Sequence, residues 1–158
     1  MKTNYIFTAI NLFTISILLS QCNTAHRQVN AKLEEAKAAI TASNNIYFEA
    51  FAKGDSSIFI SRYAKDCCIL APNAPAMCGE QAPLEFFKVA YHDIGLRNGK
   101  FITTAVYGDG EEYVTEEGLW QSFDVNNVMF DNGKFLVLWK KTQEGWKMYR
   151  DSFSSNKK

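Results

Sequence analysis

From Gly95 onward the chain is written almost entirely in strand pattern, and that half dictates what the other half must do. Four runs rich in β-branched and aromatic residues follow one another, Lys100–Tyr107, Glu112–Asp124, Val128–Thr142 and Trp146–Ser154, separated by Gly-Asp-Gly, Val-Asn-Asn and Gln-Glu-Gly turns. Such short connections join antiparallel neighbours, so the four runs predict a meander. The third run carries its own Asp131-Asn132-Gly133 stretch, so its first residues read as loop before Lys134–Thr142.

A sheet with one apolar face needs cover, and the residues ahead of it supply helices. Ala31–Lys53 carries Leu33, Ala36, Ile40, Tyr47, Phe48 and Phe51 at helical spacing and ends in Lys53-Gly54. Asp55 or Ser56 then caps a short second helix, Ser57–Tyr63. Ala64-Lys65-Asp66 is expected to turn the chain into a strand, Cys67–Leu70, and Pro72-Asn73-Ala74-Pro75 turns it back through Met77-Cys78. Gly79-Glu80 opens a third helix to about Ile94, with Leu84, Phe87, Val89 and Tyr91 among its apolar residues. Helices first and a meander afterwards predict an α+β fold, N-terminal helices packed on a strongly bent, mainly antiparallel sheet, with a pocket between the two layers.

Several short motifs agree with this order. Phe51-Ala52-Lys53-Gly54-Asp55, Tyr63-Ala64-Lys65-Asp66, Cys78-Gly79, Gly133 to Lys140 and Gly145 to Asp151 together resemble the DUF4440 and SnoaL-like branch of the NTF2-like superfamily, over about Glu35 to Asn156. The resemblance implies an NTF2-like (cystatin-like) cone. The family holds isomerases, cyclases, dehydratases and oligomerisation modules, so the fold does not fix the activity.

The N-terminus addresses the chain rather than folding it. Lys2 precedes an apolar run from Tyr5 to Leu19, diluted by Thr8, Asn11, Thr14 and Ser16, and the run closes on Leu19-Ser20-Gln21-Cys22. A spanning helix needs about 20 predominantly apolar residues, so an export signal is the better reading. The ending resembles a bacterial lipobox, which implies a signal peptide over 1–21, lipidation of Cys22, a tether over 22–29 and a folded domain over 30–156. An ordinary signal cut near Ser20 would instead leave Cys22 a free thiol. The expected location is the periplasmic side of a bacterial membrane; Asn23 after the acylation site favours the outer membrane.

Composition narrows the partners. With 17 basic and 17 acidic residues no charge field recruits nucleic acid, so the only membrane contact expected is the lipid anchor. Twelve Phe, seven Tyr and three Trp suit a sheet around an apolar interior. Beyond Cys22 three cysteines remain, Cys67, Cys68 and Cys78. Adjacent strand residues point to opposite faces, so only one of the first two can meet Cys78. A Cys68–Cys78 bridge is one reading; three small buried apolar residues is the preferred one. No metal site is expected, because neither His26 nor His92 stands at a ligand spacing from the cysteines.

The candidate pocket residues are Tyr47, Asp66, Glu116, Trp120, Trp139 and Arg150. Strict alternation on the last strand puts Trp146, Met148, Arg150 and Ser152 on one face, and the apolar pair marks that face as inward. Arg150 would then enter the pocket, with Glu116 as its partner and Tyr47, Trp120 and Trp139 around them; a bulge in the strand would instead leave Arg150 on a solvated face. Asp66 either caps backbone amides, the favoured role, or faces the pocket mouth. His92 near the end of the third helix reads as a surface residue. The resemblance makes ketosteroid isomerase the sharpest enzymatic comparison, with Tyr47 at its catalytic tyrosine, but it puts Ala71 at the base and Val137 at the oxyanion acid. Neither can move a proton, so steroid isomerisation is not expected.

These readings predict an exported, lipid-anchored cone whose pocket binds a small, partly apolar molecule without a cofactor. One alternative is a lyase or isomerase working through pocket Tyr, Asp, Glu or Arg side chains. Another is a dimerisation module pairing through an outer sheet face that bears Tyr149, Phe153, Leu136 and Leu138.

Overall fold

The computed structural model describes Gln28 and residues 31–157. The signal segment, Cys22 and, apart from Gln28, the tether lie outside the described residues. Helix α1 (31–53) buries Ala36, Ile40, Tyr47, Phe48, Ala50 and Phe51 along one stripe, as its spacing dictates. It stops at Gly54, whose positive φ of 67° suits glycine, and Asp55 starts α2 (Ser56–Ile60) by accepting a hydrogen bond from the Ser57 amide at 2.9 Å.

The second helix ends earlier than its expected limit at Tyr63, because Tyr63 already belongs to β1 (Tyr63–Leu70). The turn expected at Ala64–Asp66 is instead the irregular part of that strand: β1 pairs in parallel with β6 at Tyr63 and again from Cys68, with a register shift between them. A two-residue β2 (Met77–Cys78) returns beside β1. Helix α3 (Ala82–Lys88) runs on into a π-helical turn, Val89–Ile94, closed by Gly95 at φ 82°. The meander then follows as β3 (Asn98–Gly108), β4 (Tyr113–Phe123), β5 (Met129–Thr142) and β6 (Gly145–Ser155). The residues around Asp131-Asn132-Gly133, expected as loop, are paired strand.

The six strands lie in the order β2-β1-β6-β5-β4-β3, antiparallel except for β1 against β6. Helices cover the inner face, and aromatic side chains fill the interface: Phe51 stacks on Phe87 at 4.9 Å and meets Phe59 edge-on at 5.3 Å. Each such ring removes apolar surface worth roughly 1.5–3 kcal/mol from water.

The cysteines correct the preferred expectation of three reduced thiols. Cys68 and Cys78 are directly paired across β1 and β2, 4.1 Å apart at Cα, and form a disulfide, while Cys67 turns inward and is buried as a free thiol. Strand alternation is the reason only one neighbour can reach across.

Candidate functional site

Strand β6 decides the site, and it does so through one extra residue. Trp139 pairs with Met148 and the preceding Leu138 pairs with Arg150, so Tyr149 has no opposite number on β5. Trp146 and Met148 point inward before this bulge, whereas Asp151 points inward after it. Arg150 therefore stays outside, contrary to its expected place in the pocket. Its guanidinium lies 3.6 Å over the Tyr149 ring and donates to the Asp66 carbonyl at 3.0 Å. The expected Arg150–Glu116 pair does not form. Asp66 lies on the same outer face, where its carboxylate accepts from Lys140 at 2.8 Å, so it has the structural role rather than a place at the pocket mouth. Phe153, expected outside, turns in and packs edge-on against Trp120 at 5.8 Å and Phe86 at 6.0 Å.

Between the helices and the sheet lies a cavity of about 250 Å³. Tyr47 and Phe48 of α1, Phe101 of β3, Trp120 of β4, Phe135 of β5 and Phe153 of β6 give it aromatic walls. The π-helical turn adds Val89, Ala90 and Ile94, and the loop between the bridged cysteines adds Ala71, Pro72 and Ala74. Trp120 is seated by Gly133 opposite it: a Cβ there would meet the indole nitrogen at 2.8 Å, and without one the indole donates to the Ser154 carbonyl at 3.1 Å.

The cavity presents two carboxyl groups. Asp131, near the start of β5, is half-buried and accepts from the Ser155 hydroxyl, at 2.8 and 3.0 Å to its two oxygens. Asp151 is different. It is 6% exposed and accepts one described hydrogen bond, from the Tyr63 hydroxyl at 2.6 Å. Burial pushes its carboxyl up from 3.8 to about 6; the Tyr63 hydrogen bond and the Arg62 charge oppose that rise, and Glu116 adds to it. Burial, reinforced by the negative charge of Asp151, also holds the Tyr47 and Tyr63 hydroxyls well above their ordinary range, so both are protonated donors at neutral pH.

Behind this floor lies a second polar group. Glu116 is completely buried and accepts from Thr103 at 2.6 Å, Asn44 at 2.7 Å and the Trp139 indole at 3.0 Å. Burial raises its carboxyl, and the three donors oppose that. Arg62, 3% exposed, sits 5.1 Å over the Tyr47 ring, and none of its three guanidinium nitrogens has a hydrogen-bond acceptor among the described residues. Burial lowers its basicity to about 10, still charged at pH 7.

Of the six sequence-derived candidates, the structure thus puts Tyr47 and Trp120 in the cavity wall, Glu116 and Trp139 together behind it, and Asp66 and Arg150 outside. Asp151, Tyr63 and Arg62 were missed. For Asp151 one signal was present: Trp146 and Met148 fall on even positions and Phe153 on an odd one, which a single inserted residue explains. Arg62 stands at a helix–strand junction where neither period applies. Ala71 lines the cavity and Val137 is buried, paired with Asp151, so a carboxyl enters from the strand next to the position the isomerase comparison left empty. Among the described residues no group of His, Cys, Asp or Glu could hold a metal ion.

Solved structures match this architecture. A protein of unknown function from Shewanella oneidensis MR-1, described as NTF-2 like, aligns at a TM-score of 0.63 and 19% identity, over 75% of this chain and 98% of its own. The fold is NTF2-like. A ketosteroid isomerase-like protein from Erwinia carotovora atroseptica SCRI1043 gives 0.61 and 19% over 77% and 96%, and a cystatin-like domain of unknown function from Nostoc punctiforme PCC 73102 gives 0.67 and 13% over 78% and 79%. No protein-family model matches the chain, and no curated protein matches it. Likeness at these identities concerns the NTF2-like fold alone.

Proposed function

We propose that this protein binds a small, largely apolar molecule inside its cone. The observation that carries the reading is the cavity itself: about 250 Å³ of mainly aromatic wall around one buried carboxyl with a single described hydrogen-bond donor. Export and lipid anchoring through Cys22 belong to the same reading. The Cys68–Cys78 disulfide supports an oxidising compartment, since such bonds persist outside the cytosol. Native mass spectrometry of the mature protein, released gently from its own membrane, tests both parts. The expected result is a reproducible bound mass that Trp120→Ala loses, on a chain whose Cys22 carries acyl groups. A bare chain would count against the pocket, and an unmodified Cys22 against the anchor.

A second reading, proton transfer by Asp151, is favoured by a carboxyl poised near pH 6 with two tyrosine donors nearby. It predicts that Asp151→Asn keeps ligand binding and loses turnover. The outer face exposes Ile102, Leu119 and Leu136, which supports homodimerisation through the sheet as a further property. Sedimentation at micromolar concentration checks that.

A further inference from the structure

The charges inside the cone do not cancel, and the excess points at the cavity. Three ionisable groups, one basic and two acidic, are buried together: Arg62 from the turn before β1, Glu116 from β4 and Asp151 from β6. Glu116 has three donors, from α1, β3 and β5, and does not line the cavity. Arg62, behind the Tyr47 ring and outside the cavity lining, is one positive charge facing two carboxyl groups, and it acts on Asp151 more than on Glu116. With both carboxyls ionised one negative charge is left over, and Asp151 is the one of the two that lines the cavity. Tyr63 donates to one of its oxygens, Tyr47 is the other hydroxyl near it, and Asp131 adds further negative charge to the cavity wall.

An anionic ligand would meet this floor with repulsion, and a purely hydrocarbon ligand would bury the carboxylate with too few donors. A ligand that brings a positive charge and an N–H satisfies it. The walls fit the same molecule, because the rings of Tyr47, Phe101, Trp120, Phe135 and Phe153 attract a cation as well as an apolar body. We propose that the ligand is a small organic amine, bound as its ammonium ion on Asp151 with its apolar part against the aromatic wall. The inference rests on the pocket reading above and names its ligand class.

The test uses the mature protein and three probes of one shape: 2-phenylethylamine, 2-phenylethanol and phenylacetate, titrated calorimetrically at pH 7.5 and pH 5. At pH 7.5 the amine binds about tenfold or more tightly than the alcohol, the scale of a charge-assisted contact, and phenylacetate binds weakest. At pH 5, below the Asp151 value of about 6, the preference for the amine shrinks. Asp151→Asn removes it at pH 7.5; should that variant misfold, the pH arm on the unaltered protein decides. Equal binding of amine and alcohol at pH 7.5 overturns the amine class and leaves the apolar pocket standing. Binding of none of the three, by a chain shown to be folded, overturns both.

Discussion

Glu116 and Asp151 are buried carboxyl groups on β4 and β6, the two strands that flank β5, and the chain treats them in opposite ways. Glu116 accepts from a threonine, an asparagine and an indole brought by three different elements, and it faces no open space. Asp151 accepts from one tyrosine and lies on the cavity floor. Burial alone therefore does not distinguish a carboxylate committed to the fold from one with acceptor capacity to spare. The number of donors already committed does, because a saturated carboxylate has nothing left to offer a ligand and an unsaturated one is costly until something arrives.

The sharpest way to break this comparison is to remove Glu116. Glu116→Ala leaves the Thr103, Asn44 and Trp139 donors without their shared acceptor, and stranding buried polar groups at about 1–3 kcal/mol each is expected to lower the unfolding free energy by at least about 3 kcal/mol in urea titrations. Asp151 has the opposite effect on stability. Its folded value of about 6 exceeds the ordinary 3.8, so the folded chain holds that proton more tightly than the unfolded one. The associated stability is complete below about pH 4 and is lost as pH rises through 6, by at most about 3 kcal/mol. Thermal unfolding across that window should show the decline in the native chain, and Asp151→Asn should abolish it.

Tyr63→Phe comes next. Losing a hydrogen bond to a charged acceptor costs about 1.5–3 kcal/mol, and the Asp151 carboxyl, freed from the donor that lowers it, should titrate above about 6 in carbon-detected NMR. Smallest of all is Arg150→Met. Its guanidinium lies on the outer face over Tyr149, so stability should change by no more than about 0.5 kcal/mol and ligand affinity not at all. A large loss of binding in that variant would contradict the placement of Arg150 and Asp151 on opposite faces.

What could be read from the sequence follows the same physical divide. Helix and strand periods are averages over many residues, so α1, α3 and the four-stranded meander were legible, as was the aromatic wall at Tyr47 and Trp120. A site, by contrast, turns on single residues. Alternation assigned Arg150 inward and Asp151 outward because it assumes an unbroken pleat, and one unpaired Tyr149 inverted both assignments. Phe153 moved with them. Arg62 and Tyr63 were hidden differently, at a junction where the helical period stops and the strand period has not begun. The cysteine pairing lay between: alternation showed that only one of Cys67 and Cys68 could reach Cys78, and the geometry of β1 and β2 selected Cys68.

The Cys68–Cys78 bridge has a consequence on the time axis. Ala71, Pro72 and Ala74 hang between the bridged residues and form one wall of the cavity, supported by an edge strand of only two residues. A strand that short frays readily on its own. Closed by a covalent bond, the segment can open only as a tethered loop, so its amides should exchange with solvent slowly in the oxidised chain and faster once it is reduced. The rate at which that uncharged cavity wall opens is then tied to the redox state of its surroundings.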